Sequence, residues 1–140
     1  MYNSVLIHTA RIRVRYKETD QMGLVYYARY FEFFEQARTE LLNHMGIKVT
    51  VIEESGYFLP VISATCDYKE GAKLEDEIIV KTVIEGMIGI KLKINYKIYR
   101  KSDNHLLVIG NTLHAFTDKK YRPKRPPKFF LEKFSFISPD

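Results

Sequence analysis

A single cysteine, Cys66, serves a chain of 140 residues, so no intrachain disulfide can form and a reducing compartment suits it. Long hydrophobic runs are missing as well. No window approaches the roughly 18 apolar residues of a membrane-spanning helix, and the opening stretch MYNSVLIHTARIR has no charged lead followed by an apolar run. The expectation is a cytoplasmic protein. The four histidines, His8, His44, His105 and His114, lack the paired spacing of a zinc site, so no metal and no other cofactor is expected. What remains is 46% hydrophobic, enough to bury the core of one domain over 1–140 and too short for a second.

Positive charge exceeds negative by five, and the excess is local. The Pro-rich segment DKKYRPKRPPK, residues 118–128, carries six Lys/Arg and one Asp, while the rest of the chain holds sixteen of each sign. Such a segment suits phosphates, nucleic acid or an acidic partner, or serves only as a solvated surface that keeps the protein soluble.

Strict alternation marks the strands. In ARIRVRYK, Ala10, Ile12, Val14 and Tyr16 interleave with Arg11, Arg13, Arg15 and Lys17, and IKLKINYKIY repeats the pattern over 90–99. Less regular β-rich runs cover 58–68, 77–85 and 106–117. The GMIG bracket at 86–89 and the RKSDNH linker predict hairpins between successive strands, hence a mostly antiparallel sheet. The prolines of RPKRPP cannot sustain a strand, and KFFLEKF after them suits a short closing helix.

One long helix is expected over 26–45, ended by Gly46. At 100° per residue, Tyr30, Phe31, Phe33, Phe34, Ala37, Leu41, Leu42 and Met45 cover about half its circumference, which calls for deep burial. Five strands and one such helix are best satisfied if the sheet curls around the helix, an α+β fold.

The start of that helix carries the chemical question. Its first amides have no intrahelical acceptor and form the positive end of the helix dipole, yet no Ser, Thr, Asn or Asp lies between Gln21 and Arg29 to cap them. The nearest carboxylate is Asp20, on the far side of Gly23. Two readings fit. In one, Asp20 folds back as a turn residue and Gly23 permits the bend. In the other, the amides are reserved for a ligand oxygen and Asp20 faces the same space, the minimum apparatus for acyl transfer.

The same residues carry a resemblance. VRYKETDQMGLVYYARYFEFFEQARTELL, with GYFLPVISATCDYKEGAKLEDEIIV and NTLHAFTDKKYRPKRPP, resembles the 4-hydroxybenzoyl-CoA thioesterase family of hotdog-fold proteins, in particular the small bacterial acyl-CoA thioesterases of the Tol-Pal-associated type. The resemblance implies a long central helix wrapped by a curved, five-stranded antiparallel sheet, thioester hydrolysis without a cofactor, and sites at the interface of a homodimer or homotetramer. Carried over by position, it implies that Asp20 is the catalytic carboxylate and that the backbone N–H of Tyr27 polarises the carbonyl, with Gly23 as the turn glycine. Tyr27 stands where many relatives have histidine, and Arg29 where asparagine is common. The backbone role is indifferent to the first departure, since any residue except proline supplies an N–H.

An anionic Asp20 suits nucleophilic attack or the orientation of water, whereas burial against Tyr16, Tyr26 and Tyr30 favours a general base; both routes stay open. Tyr26 and Tyr30 are candidates to line the acyl pocket, and Arg122, Lys124 and Arg125 to meet the phosphates of coenzyme A, with acyl carrier protein as the other possible carrier. The competing class is a non-catalytic binder of acyl-CoA, a protein partner or nucleic acid; no nucleic-acid motif accompanies the basic segment, which ranks that partner last. Cys66, in phase with Ile62, Ala64 and Tyr68, reads as a strand core residue and not a nucleophile. Glu35 reads as an ion-pair partner of Arg38.

Overall fold

The computed structural model describes residues 6–137, with side chains as far as Lys133; the ends of the expected 1–140 domain, 1–5 and 138–140, lie outside it. Five antiparallel strands, β1 (Leu6–Arg13), β2 (Val61–Tyr68), β3 (Glu77–Ile88), β4 (Lys91–Arg100) and β5 (His105–Ala115), form one sheet in the order β1-β3-β4-β5-β2. Helix α1 (Arg29–His44) lies against it, followed by the short α2 (Val49–Glu54), and α3 (Lys128–Ile137) closes the chain. This is the hotdog arrangement of a helix held by a sheet.

The alternating patterns explain the layers. Ile78, Val80, Thr82 and Ile84 of β3 and Leu92, Ile94, Tyr96 and Ile98 of β4 are buried, while the lysines between them are less buried or exposed. From α1, Tyr30, Phe33, Phe34, Ala37, Leu41 and Leu42 enter the same core, with Phe31 and Met45 at its edge. Phe34 stacks on Tyr96 at 4.3 Å between ring centroids. That contact requires Gly110 on β5: a Cβ there would lie 2.5 Å from Cζ of Phe34 and 2.7 Å from the backbone oxygen of Thr65.

Four sequence expectations are corrected. The first strand ends at Arg13 and not at 17, because the Glu18 carboxylate takes the Arg15 N–H at 2.7 Å and turns residues 16–18 into a 3₁₀ turn. Helix α1 starts at Arg29, three residues later than expected. Strand β3 runs through Gly86, with a bulge between Ile84 and Met87, so the hairpin turns at Gly89 instead. Hairpins join only β3 to β4 and β4 to β5; β1 pairs with β3, and β2 crosses to pair with β5. Strand β2 is therefore a sheet edge, exposed at every position but Cys66, which is half-buried.

Candidate active site

The loop from Asp20 to Leu24 is knotted on itself. Gly23 N–H donates to the Asp20 carbonyl at 3.0 Å, Asp20 N–H donates to the Leu24 carbonyl at 2.8 Å, and Gly23 has φ +76°, where a Cβ would be strained. Within this loop Oδ1 of Asp20 accepts from the N–H of Met22 at 2.8 Å and of Leu24 at 3.3 Å. Among the described residues Oδ2 has no hydrogen-bond partner. The turn role and an available carboxylate oxygen thus coexist in one side chain.

A second loop, after β2, holds the first in place. Leu74 N–H donates to the Gly23 carbonyl, Val25 N–H to the Ala72 carbonyl, and the buried Tyr30 hydroxyl accepts from Ala72 N–H at 3.0 Å. Tyr26 N–H donates to the Glu18 carbonyl, which fixes where the chain enters the helix. At that entry Ala28 provides no side-chain cap, and the first turn closes through three-residue bonds from Arg29 N–H to the Tyr26 carbonyl at 2.9 Å and from Phe31 N–H to that of Ala28 at 3.3 Å. The amides of Tyr27 and Ala28 make no hydrogen bond among the described residues, as a dipole end open to an anion requires.

Asp20, Tyr26, Tyr27 and Tyr30 line one open cleft of about 350 Å³, together with Tyr68 and Gly71. Gly23 borders an adjoining hollow of about 380 Å³, which Asp20 also touches. The rings form a cluster: Tyr26 and Tyr27 are 4.7 Å apart, and Tyr68 meets Tyr30 edge-on at 5.5 Å. Burial pushes the Tyr30 and Tyr68 hydroxyls up, the latter to about 12, so both keep their protons at neutral pH. Among the described residues no three His, Cys, Asp or Glu side chains gather to hold a metal.

Other candidates lie elsewhere. Arg122 pairs with Asp118 at 2.9 Å, Lys124 sits over the Tyr57 ring at 4.1 Å and Arg125 is exposed; none of the three borders the Asp20 cleft within one protomer. Arg38 donates to the Tyr96 hydroxyl at 3.1 Å and no Glu35–Arg38 ion pair forms among the described residues, because the sheet supplies a buried acceptor that the helix sequence does not reveal. Both border a separate hollow of about 570 Å³ with α2 and Tyr121. Cys66 is half-buried and packs against the edge of the core; burial pushes its thiol up, away from the thiolate that a nucleophile needs.

The pattern of the thioesterase-like superfamily matches residues 14–134. The chain belongs to that superfamily. Its similarity to YneP of Bacillus subtilis is 34% identity over 120 residues, covering 85% of this chain and 86% of that one. To the acyl-CoA thioester hydrolase YbgC of Escherichia coli it is 32% over 124 residues, covering 88% and 92%. Among solved structures, a 4-hydroxybenzoyl-CoA thioesterase bound to 4-hydroxybenzoyl-CoA superposes with a TM-score of 0.82 over 92% of this chain and 99% of that one; at 16% identity this superfamily likeness speaks for the fold alone.

Two contributors escaped sequence reasoning. Ala28 has a backbone amide as free as that of Tyr27, hidden because the helix start lay three residues from its expected place. Tyr68 borders the cleft from β2; its alternation with Cys66 was visible, but not the crossover that brings β2 beside the helix start.

Proposed function

We propose that Asp20 and the amides at the start of α1 hydrolyse an acyl-CoA thioester to the free acid and coenzyme A. The chain is an acyl-CoA thioesterase, in keeping with its superfamily. The observation that carries the site assignment is the meeting, in one tyrosine-lined cleft, of a carboxylate with an unengaged oxygen and of helix-start amides without acceptors. The thioester carbonyl oxygen accepts from the Tyr27 N–H, whose hold tightens as the oxygen gains charge. On the nucleophilic route Oδ2 of Asp20 attacks the carbonyl carbon, the C–S bond breaks, coenzyme A leaves as thiolate and takes a proton, and water cleaves the resulting anhydride. On the alternative route the carboxylate draws a proton from water, and the hydroxide attacks directly. Tyr26 and Tyr30 wall the acyl group, and Gly23 shapes the loop that aims Asp20.

The working form is a homodimer, or a homotetramer built from dimers. What supports pairing is β2, an edge strand with exposed Val61, Ile62 and Tyr68 that offers unpaired backbone groups along its free side. Arg122, Lys124 and Arg125 meet the coenzyme A phosphates; since they stand away from the cleft in one protomer, the coenzyme A half of the substrate must run out of the cleft or be met by the second protomer. Acyl carrier protein is the other possible carrier. The enzyme works in the cytoplasm, where Cys66 stays reduced. A panel of aromatic, short-chain and long-chain acyl-CoA and acyl-carrier thioesters, assayed for thiol release, tests the reading: turnover of at least one is expected. Binding of acyl-CoA without thiol release would leave a non-catalytic binder.

A further inference from the structure

We infer that Tyr68 is a positioning residue of this site: its hydroxyl holds the Tyr27–Ala28 peptide so that the first turn of α1 presents its unengaged amides to the cleft. The inference rests on the proposed reaction and adds a residue to it.

The Tyr27 carbonyl is poorly held by the helix itself. Its i+4 donor, the Phe31 N–H, turns to the Ala28 carbonyl, and the Tyr30 N–H stands 3.5 Å away, whereas the preceding carbonyl, that of Tyr26, receives the Arg29 N–H at 2.9 Å. A peptide with a weak hold on one side and a free amide on the other can swing, and an oxyanion donor that swings loses most of its value. The Tyr68 hydroxyl supplies the missing hold, donating to the Tyr27 carbonyl at 2.9 Å from a strand 41 residues away. Its ring is set edge-on against Tyr27 at 6.4 Å and Tyr30 at 5.5 Å, so the hydroxyl is aimed by packing. Its proton stays in place, because burial, the thiol of Cys66 and the neighbouring tyrosines all oppose ionisation. A donor on the carbonyl also polarises the peptide, which makes the Ala28 N–H a stronger donor in turn.

Stability gives no reason for this contact. Tyr68 is 43% exposed and the rest of β2 makes little use of its side chains for packing, so loss of one hydroxyl leaves the fold intact. Orientation of the peptide is what the bond achieves.

Tyr68→Phe keeps the ring and removes only the donor. On any thioester the native protein hydrolyses, kcat is expected to fall roughly 3- to 10-fold with KM within about twofold, as for a bond that matters mainly in the transition state. The amide nitrogen resonance of Ala28 moves as its peptide loses the donor, while amides in β3 and β4 stay put. An unchanged kcat, a rise in KM alone or an unmoved Ala28 resonance overturns the inference. Failure of the reaction itself looks different: a native protein inactive on every thioester refutes the hydrolase reading, and the Ala28 resonance still decides whether Tyr68 holds that peptide.

Discussion

At the residue scale, the two readings of Asp20 turn out not to exclude one another. One carboxylate oxygen satisfies the loop amides of Met22 and Leu24, and the side chain still borders the cleft. Sequence could place an acid beside an uncapped helix; it could not divide the two oxygens between tasks, because the division depends on a loop geometry that Gly23 and the 71–74 segment impose. His114 illustrates a residue whose role was not legible at all. It is buried on β5, with Nε2 2.8 Å from the Thr112 hydroxyl, which in turn meets the Tyr96 hydroxyl at 2.7 Å and through it Arg38. Burial, then the repulsion of Arg38, lowers its pKa from 6.5 to about 4. The unfolded chain therefore binds more protons than the folded one between those values, and stability present above pH 6.5 is lost as the pH falls toward 4. The loss reaches roughly 3 kcal/mol at most. Thermal melts from pH 7 to 5 are expected to show a falling midpoint, with a flatter profile in His114→Gln; parallel profiles would contradict the assignment. Glu70 and Glu77, held below the usual carboxylate range by hydrogen bonds from Arg100 and Lys101, add stability that is present above that range and is lost as the pH falls through it.

At the scale of elements, what the alternation of side chains encodes was readable and what distant partners decide was not. Leu92, Ile94 and Ile98 announced their strand through a period of two, and the aromatic arc of α1 announced a buried helix. The end of β1, however, depends on Glu18 reaching back to Arg15, and the start of α1 on Tyr26 N–H reaching Glu18, contacts that no propensity reports. Gly110 shows the same dependence in packing. With no Cβ, it lets Phe34 press against β5 while stacking on Tyr96. Gly110→Ala is expected to destabilise by about 1–3 kcal/mol, through overpacking, with a fall of several degrees in melting temperature. An unchanged melting temperature would mean that Phe34 swings aside freely and that the stack is not a fixed part of the core.

At the scale of the whole molecule, the sheet order matters most. Hairpin logic foresaw β3-β4-β5 but not that β1 and β2 close the two edges, since crossovers leave no local signature. That order puts β2 at the free edge, beside the helix start, and leaves the basic 118–128 segment away from the Asp20 cleft. If the segment meets coenzyme A, the Arg122→Ala, Lys124→Ala, Arg125→Ala triple variant should raise KM severalfold with kcat nearly unchanged, since each phosphate contact at a rim contributes to binding and little to chemistry. An unchanged KM would free the segment from any substrate role.

The central claim is that Asp20 performs the chemistry at the tip of α1. Asp20→Asn is an unusually direct test, because the amide oxygen of Asn still accepts from Met22 and Leu24 and so preserves the loop while removing the charge. Measured on the best acyl-CoA of the panel, alongside a melting curve, the variant should retain the native fold and lose turnover by about 10³-fold or more, the scale of losing a catalytic carboxylate. A folded Asp20→Asn protein that hydrolyses the thioester at a comparable rate would contradict the account.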